Sequence, residues 1–214
     1  MTQAIAEERA VKSRQRVKAH GEVFTPRRMV DQMLDLVRED LETGPDFVDR
    51  TFLEPAAGDG NFLVAILGRK LHAIEQAFPR EDWPEESLHA LASIYGIELL
   101  EDNHHEAKAI MLAEFLEFLQ ARGIECDAGT NLHRAAAFLI DTNIIRGNTL
   151  TALTFEGQDI QFSWWNRVAG SPGVVQREPF TLASMRGGGF DFTVYESYQP
   201  CPIDRVHEEV RADA

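Results

Sequence analysis

The sequence predicts an α/β domain with a mainly parallel sheet, and three observations support that class. Two short apolar runs, residues 52–55 and 94–98, have the composition of buried strands. Segments with the apolar spacing of amphipathic helices alternate with these runs, as is typical of parallel sheets. After residue 151, glycine and proline divide the chain into short β-like pieces, so we expect a β-rich C-terminal end.

Composition narrows the class of protein further. The 214 residues suffice for one packed domain, and 44% hydrophobic with 26% charged residues is typical of a globular chain. No apolar run approaches the roughly 18 residues of a membrane helix, and the charged N-terminus does not resemble a signal peptide. Two cysteines, Cys126 and Cys201, are too few for a disulfide framework. We therefore expect a cytoplasmic protein without membrane contact.

The net charge of −14 is unevenly distributed along the chain. Residues 9–28 contain only one acidic side chain, Glu22, so the rest of the protein is strongly acidic. The basic residues of this stretch are Arg9, Lys12, Arg14, Arg16, Lys18, Arg27 and Arg28. Two interpretations stay open: a solvated helix whose charges aid solubility, or a contact with DNA or a partner protein that would weaken as salt rises.

The N-terminal region is predicted to hold two helices. Residues 5–19 have helical composition with a thin apolar stripe and end at Gly21, so residues 1–20 are predicted to form a basic helical arm. Thr25 as N-cap and Pro26 at the first helical position then begin a second helix, which runs to about residue 41.

Residues 21–152 are predicted to form the α/β core, and residues 153–214 to complete the same domain. Core helices are expected at 62–78, 85–93 and 102–122. We expect residues 123–136 to be irregular, and 138–145 to be a strand pair or the continuation into a third strand. In the C-terminal part we expect β-like pieces at 160–165, 174–181 and 190–195, followed by a helix at 203–210.

The strongest local signal lies between the first strand and the following helix. It consists of Glu54-Pro55-Ala56-Ala57-Gly58-Asp59-Gly60-Asn61-Phe62. Glycines at 58 and 60 allow a ligand close to the backbone, and the helix start offers free N–H groups. Glu98 ends the next strand, where a doubly wound fold places an acid against ribose hydroxyls. The long separation and the missing third glycine argue against a dinucleotide.

Four motifs, taken in this order, resemble those of the N6-adenine DNA methyltransferases, in the branch that contains modification subunits of restriction systems. They are Gly21-Glu22-Val23-Phe24-Thr25-Pro26, the glycine loop from Glu54 to Leu63, Ile94-Tyr95-Gly96-Ile97-Glu98, and Arg146-Gly147-Asn148-Thr149-Leu150. The resemblance covers about residues 18–152. It implies a class I, Rossmann-like S-adenosylmethionine-dependent core that is abbreviated at its C-terminal end.

The resemblance also implies a binding site for S-adenosylmethionine. The segment that closes over the methionine end of the cofactor corresponds to Phe24, Thr25 and Pro26. The loop that cradles the cofactor corresponds to Glu54, Ala56, Gly58 and Gly60, with Phe62 nearby. The ribose acid corresponds to Glu98, the apolar residue beside the adenine ring to Leu99, and a further adenine contact to Asn148.

The catalytic motif of that family, Asn or Asp followed by Pro-Pro-Tyr or Pro-Pro-Phe, is absent from residues 151–214. The nearest segment is 190–199, in which Glu196 could accept a hydrogen bond from the target amine and Tyr198 could stack on a flipped base. A tyrosine at the end of a strand is the structural alternative. The candidates for a DNA contact are Lys12, Arg14, Arg16, Lys18, Arg27 and Arg28.

Two further residue pairs have structural explanations. Trp164 and Trp165 are adjacent on a predicted strand and therefore face opposite sides, so one of them belongs to the core and the other could be a stacking platform. His104 and His105 diverge by about 100° on a helix, so we expect no metal site there.

Three functions follow as hypotheses. The first is methylation of adenine in DNA with S-adenosylmethionine, by this chain alone or with a specificity or catalytic partner subunit. The second is a cofactor-binding module without catalysis, which regulates or completes a restriction–modification, phage or plasmid complex. The third is methylation of another substrate, with Glu196 or Asp191 replacing the missing motif.

Overall fold

A computed structural model describes residues 12–186 and 198–212 of the chain. Within these ranges the architecture is α/β, with one four-stranded sheet and one three-stranded sheet. None of the described helices combines the length and the apolar character that a membrane crossing requires.

The N-terminal region contains two short helices. Helix α1 (Arg14–His20) begins after Ser13, whose side chain accepts a hydrogen bond from the Arg16 N–H, and ends at Gly21 in the left-handed conformation. Helix α2 (Arg27–Leu34) continues through a 3₁₀ turn (Asp35–Val37) and a π turn (Glu39–Thr43). The predicted cap is wrong by one residue, because Pro26 occupies the N-cap position and makes no side-chain cap hydrogen bond.

The main sheet has three parallel strands, as predicted. Strand β1 (Phe52–Glu54) pairs with β2 (Ile94–Glu98), which pairs with β3 (Ile144–Asn148). A two-residue strand, β4 (Leu153–Thr154), turns back antiparallel to β3. The carboxyl ends of the three parallel strands therefore lie at one edge of the sheet.

Helices cover one face of this sheet. They are α3 (Asn61–Ala77), α4 (Trp83–Ala92), α5 (Glu101–Ala121) and α6 (Asn131–Asn143), with a 3₁₀ turn at Arg80–Asp82 before α4. Ile94 and Ile144 point into the core that these helices form. The alternate strand residues Tyr95 and Ile97 belong to a second, smaller core on the opposite face.

A β-hairpin forms that smaller core. Its strands are β5 (Gln161–Arg167) and β6 (Val174–Thr181), followed by helix α7 (Leu182–Arg186), strand β7 (Cys201–Pro202) and a 3₁₀ turn (Ile203–Glu208). The predicted pieces at 160–165 and 174–181 correspond to the hairpin. The predicted piece at 190–195 lies outside the described residues. Of the adjacent tryptophans, Trp165 is buried in the main core and Trp164 stacks on Phe180 with 4.3 Å between the ring centroids.

Helix α6 overturns two sequence-based expectations. Residues 131–136 are not irregular and residues 138–143 are not a strand, because both belong to this helix. Thr130 caps the helix by accepting a hydrogen bond from the His133 N–H at 3.2 Å. The spacing of Ala135, Leu139 and Ile140 then buries one apolar face.

A buried lysine secures the segment that leads into β1. The Lys70 ammonium donates hydrogen bonds to the backbone oxygens of Val48 and Arg50 and to Ser93 Oγ, at 2.6–2.9 Å. Burial lowers the pKa of Lys70 to about 7. These three contacts join α3, the end of α4 and the segment before β1, and so hold the first strand of the site in place.

Candidate functional site

A pocket of about 510 Å³ lies at the carboxyl ends of β1, β2 and β3. The loops after these strands form its floor, and residues 21–25 form one wall. Its volume falls within the range of about 300–1,000 Å³ that is typical of small-molecule sites. Carboxyl ends of parallel strands are where open α/β sheets bind ligands.

Most of the residues that sequence reasoning assigned to a cofactor line this pocket. They are Phe24, Thr25, Glu54, Ala56, Gly58, Phe62, Glu98, Leu99 and Asn148. Pro26 and Gly60 are not among the lining residues. Phe24 packs its ring against Gly58, so that a Cβ built on Gly58 would lie 3.3 Å from the ring.

Gly60 serves the packing of the loop rather than the approach of a ligand. Its φ of +96° is in the region that favours glycine, and a Cβ at this position would lie 2.9 Å from the Cα of Ala107 on α5. The missing side chain therefore lets the glycine loop rest directly on α5. The sequence motif alone does not distinguish this role from close contact with a cofactor.

Glu98 connects the glycine loop to the end of β2. One of its carboxylate oxygens accepts a hydrogen bond from the Gly58 N–H at 2.8 Å, and the other accepts one from the Leu100 N–H at 2.8 Å. The residue is 7% exposed. A carboxylate oxygen has two lone pairs, so Glu98 retains acceptor capacity for the hydroxyls of a bound sugar.

Two further acids line the pocket with raised pKa values. Burial raises the pKa of Glu54, although a hydrogen bond from the Ala56 N–H partly opposes this. Burial and the nearby charge of Glu106 raise the pKa of Asp59. Both carboxyl groups would ionise more readily beside a bound cation.

All of the charged side chains among the described lining residues of the pocket are acidic. Its lining includes the four acids Glu22, Glu54, Asp59 and Glu98, and none of the described residues that line it is lysine, arginine or histidine. The pocket therefore suits a ligand with positive charge. It disfavours a phosphate ester, whose charge would meet Glu54, Asp59 and Glu98 with no basic side chain among the described lining residues.

The wall near the end of β3 combines an amide with exposed apolar side chains. Asn148 Oδ1 accepts a hydrogen bond from the Leu150 N–H at 2.9 Å, so its oxygen is engaged in a local turn. Leu99 and Leu150 are 47% and 89% exposed beside it. Apolar side chains next to a polar group are suited to a flat, partly polar ring such as a nucleobase.

Part of the basic stretch folds back onto the protein. Arg16 pairs with Glu22 and Asp102 at 2.6 Å each, and Lys12 pairs with Glu106 at 2.6 Å. The hydrogen bond from Arg16 lowers the pKa of Asp102. Two of the six candidates for a DNA contact, Lys12 and Arg16, are therefore paired with acids on α5.

The other four basic candidates are exposed on the surface. Arg14, Lys18 and Arg28 are exposed, and Arg27 is exposed while pairing with Asp31 at 3.1 Å. Sequence reasoning missed several polar residues that line the pocket, among them Glu22, Asp59 and Asn103. The sequence did set Glu22 apart, because it is the single acidic residue within the basic stretch at residues 9–28.

Of the two catalytic candidates, the structure describes only Tyr198, which lies away from the pocket. Tyr198 does not line the pocket, and the Arg177 guanidinium lies 4.6 Å from its ring centroid. Arg177 also lies over Trp165, whose indole N–H donates to Asn143 at the amino end of β3. The structure therefore places Tyr198 near the opposite edge of the sheet, where it cannot stack on a base at this pocket. Glu196 lies outside the described residues.

The role of Gly60 can be measured by comparing two glycine-to-alanine variants. Gly60→Ala combines a positive φ with the contact at Ala107, whereas Gly157, at φ +83°, has nothing within 4 Å of a built Cβ. We expect Gly157→Ala to lower the free energy of unfolding by about 1 kcal/mol through backbone strain, and Gly60→Ala by about 2–4 kcal/mol. Equal losses in urea titrations of the two variants would contradict the proposed packing role.

Comparisons with models of known protein families, with curated proteins and with solved structures find no match to this chain, so interpretation of the site depends on its own geometry.

Proposed function

We propose that this protein binds S-adenosylmethionine in the pocket at the carboxyl ends of β1, β2 and β3, within a class I, Rossmann-like methyltransferase core. The observation that supports this most directly is the charge of the pocket. Four carboxylates and no described basic side chain line it. S-adenosylmethionine has a sulfonium, an ammonium and a carboxylate but no phosphate, so it suits this charge better than a phosphorylated nucleotide does.

Individual side chains match the parts of this cofactor. Glu54 and Asp59 provide acidic groups for the ammonium and sulfonium charges, and the positive end of the α3 dipole favours the carboxylate. Glu98 provides acceptors for the ribose hydroxyls, while Leu99 and Asn148 flank the place of the adenine. When bound, S-adenosylmethionine supplies an electrophilic methyl group; the residues of this chain hold and orient it.

The reaction that we propose is methyl transfer to adenine in DNA, alone or with a partner subunit. The order of the four sequence motifs supports it, and the exposed Arg14, Lys18 and Arg28 offer positive charge for a phosphate backbone near residues 21–25. A second function is supported by the position of Tyr198 and by the internal pairing of Lys12 and Arg16. It is a cofactor-binding module that regulates or completes a restriction–modification, phage or plasmid complex.

Calorimetric titration tests cofactor binding. We expect the wild-type protein to bind S-adenosylmethionine and to show no comparable affinity for ATP or NAD. Glu98→Gln should weaken binding by about 1–3 kcal/mol, roughly 5- to 150-fold, because an amide cannot accept hydrogen bonds through both of its ends. Glu101→Gln is the matched control, since Glu101 is exposed, pairs with Arg146 and does not line the pocket. Equal affinities of the two variants would place the ligand elsewhere.

Binding should also depend on pH in a defined direction. The pKa values of Glu54 and Asp59 are raised above 4.5 and 3.8, and a bound cation would lower them again. Binding therefore releases protons, and affinity should increase as pH rises through the range just above these ordinary values. Titrations in two buffers of different ionisation enthalpy measure the released protons. Glu54→Gln should reduce the release, and affinity that is independent of pH would contradict the assignment.

Transfer of labelled methyl groups to DNA separates the two functions. If the enzyme hypothesis holds, label appears in DNA adenine with the chain alone or with a candidate partner, and Glu98→Gln reduces the rate at subsaturating cofactor. Absence of transfer under every condition, despite cofactor binding, would support the regulatory module. Label in another substrate class would support methylation of something other than DNA.

A further inference from the structure

We infer that Asn103 is a positioning residue whose amide orients two carboxylates of the pocket, and that the basic residues Lys12 and Arg16 fix the orientation of this amide. The inference rests on the proposed function, because it assigns Lys12 and Arg16 to the ligand site rather than to DNA. Asn103 lies in the first turns of α5 and is 1% exposed.

The side-chain amide of Asn103 has four hydrogen-bonding partners, two of them basic and two acidic. Its Oδ1 accepts hydrogen bonds from Lys12 Nζ at 2.7 Å and from Arg16 Nη2 at 3.3 Å. Its Nδ2 donates to Glu22 Oε1 at 2.7 Å and approaches Glu98 Oε1 at 3.5 Å. Cations therefore face the oxygen and carboxylates face the nitrogen.

This arrangement permits only one orientation of the side chain. A rotation of the amide by 180° would place its NH₂ group against Lys12 and Arg16, and its oxygen against the carboxylates of Glu22 and Glu98. Buried polar groups that face a group of the same kind lose their hydrogen bonds, which is unfavourable. The charged neighbours thus select the side-chain orientation that donates toward the pocket.

A continuous hydrogen-bonded path follows from this. It runs from Arg16 through Asn103 to Glu98, and from Glu98 to the Gly58 N–H in the glycine loop. Burial opposes ionisation of Glu22, but hydrogen bonds from Arg16 and Asn103 outweigh it and lower its pKa. Docking of residues 12–22 is thereby linked to the position of the carboxylate proposed to hold the ribose.

Asn103→Asp tests the inference because it keeps the hydrogen bonds that the side chain accepts and removes those that it donates. The new carboxylate has nearly the same shape and still accepts hydrogen bonds from Lys12 and Arg16, so α1 stays docked. When ionised, it has no hydrogen to donate and repels Glu22 and Glu98. We expect the dissociation constant for S-adenosylmethionine to rise about tenfold or more, with no faster hydrogen exchange at the α1 amides.

Gln120→Glu is the matched control. It makes the same amide-to-acid change on the same helix, about 25 Å away along the axis, at an exposed position. We expect it to leave the dissociation constant within about twofold of the wild-type value. Thermal unfolding of both variants identifies any general loss of stability.

A pH series provides a readout that a merely structural role would not change. The charged groups around position 103 are Lys12, Arg16, Glu22, Glu98, Asp102 and Glu106. A protonated aspartic acid can donate to Glu22, so the ratio of the Asn103→Asp to wild-type dissociation constants should fall toward one as pH is lowered. Taking the ratio cancels the pH dependence of Glu54 and Asp59.

Three results would overturn the inference. They are wild-type affinity in Asn103→Asp, a ratio of dissociation constants that does not change with pH, and faster exchange of the α1 amides in this variant. If the wild-type protein does not bind S-adenosylmethionine, the proposed function fails. The positioning role is then decided by hydrogen exchange at the Gly58 and Leu100 amides without ligand, which Asn103→Asp should accelerate. Unchanged exchange at both amides would contradict it.

Discussion

The carboxylate of Glu98 is the point at which the parts of the pocket meet. It accepts hydrogen bonds from the backbone of the glycine loop and from the first residue beyond β2, and it approaches the amide of Asn103 on α5. Parallel pairing of β1 and β2 places Glu98 beside that loop. Because the residue is nearly buried, each of these bonds is shielded from water and restricts the loop more strongly than a surface contact would.

Acidic side chains at the pocket and basic side chains of the N-terminal stretch lie in different parts of the fold. The charged residues that line the pocket are acids, while the described basic residues of the N-terminal stretch lie just before α1, on α1 and at the start of α2. Lys12 and Arg16 pair with acids beside them: Arg16 with Glu22, which lines the pocket, and both with residues on α5, namely Asp102 and Glu106. The part of the basic stretch that faces the body thus pairs with acids, while Arg14, Lys18 and Arg28 are exposed on the surface.

Regular elements with strong apolar periodicity were predictable from sequence. The positions of β2 and α5 agree with expectation within one residue, because local spacing and flanking glycines determine them. Helix α6 was missed because its alanine-rich start lacks a strong apolar period, and its burial depends on packing against α4 and the C-terminal 3₁₀ turn. The location of Tyr198 was not predictable for a related reason: a residue at the end of a predicted strand has no defined location until the strand order is known.

The sequence by itself determined the parallel α/β class, the glycine loop and the acid at the end of β2. These features depend on local spacing and on the rule that carboxyl ends of parallel strands share one edge. Only the tertiary structure decided that Gly60 makes room for Ala107, that Asn103 connects two carboxylates, and that Lys12 and Arg16 bond to Asn103. Each of these contacts joins residues about 45 to 90 positions apart or depends on the direction of a side chain. Such contacts are set by packing of the folded chain, because local sequence patterns hold no information on which distant side chain will be the neighbour.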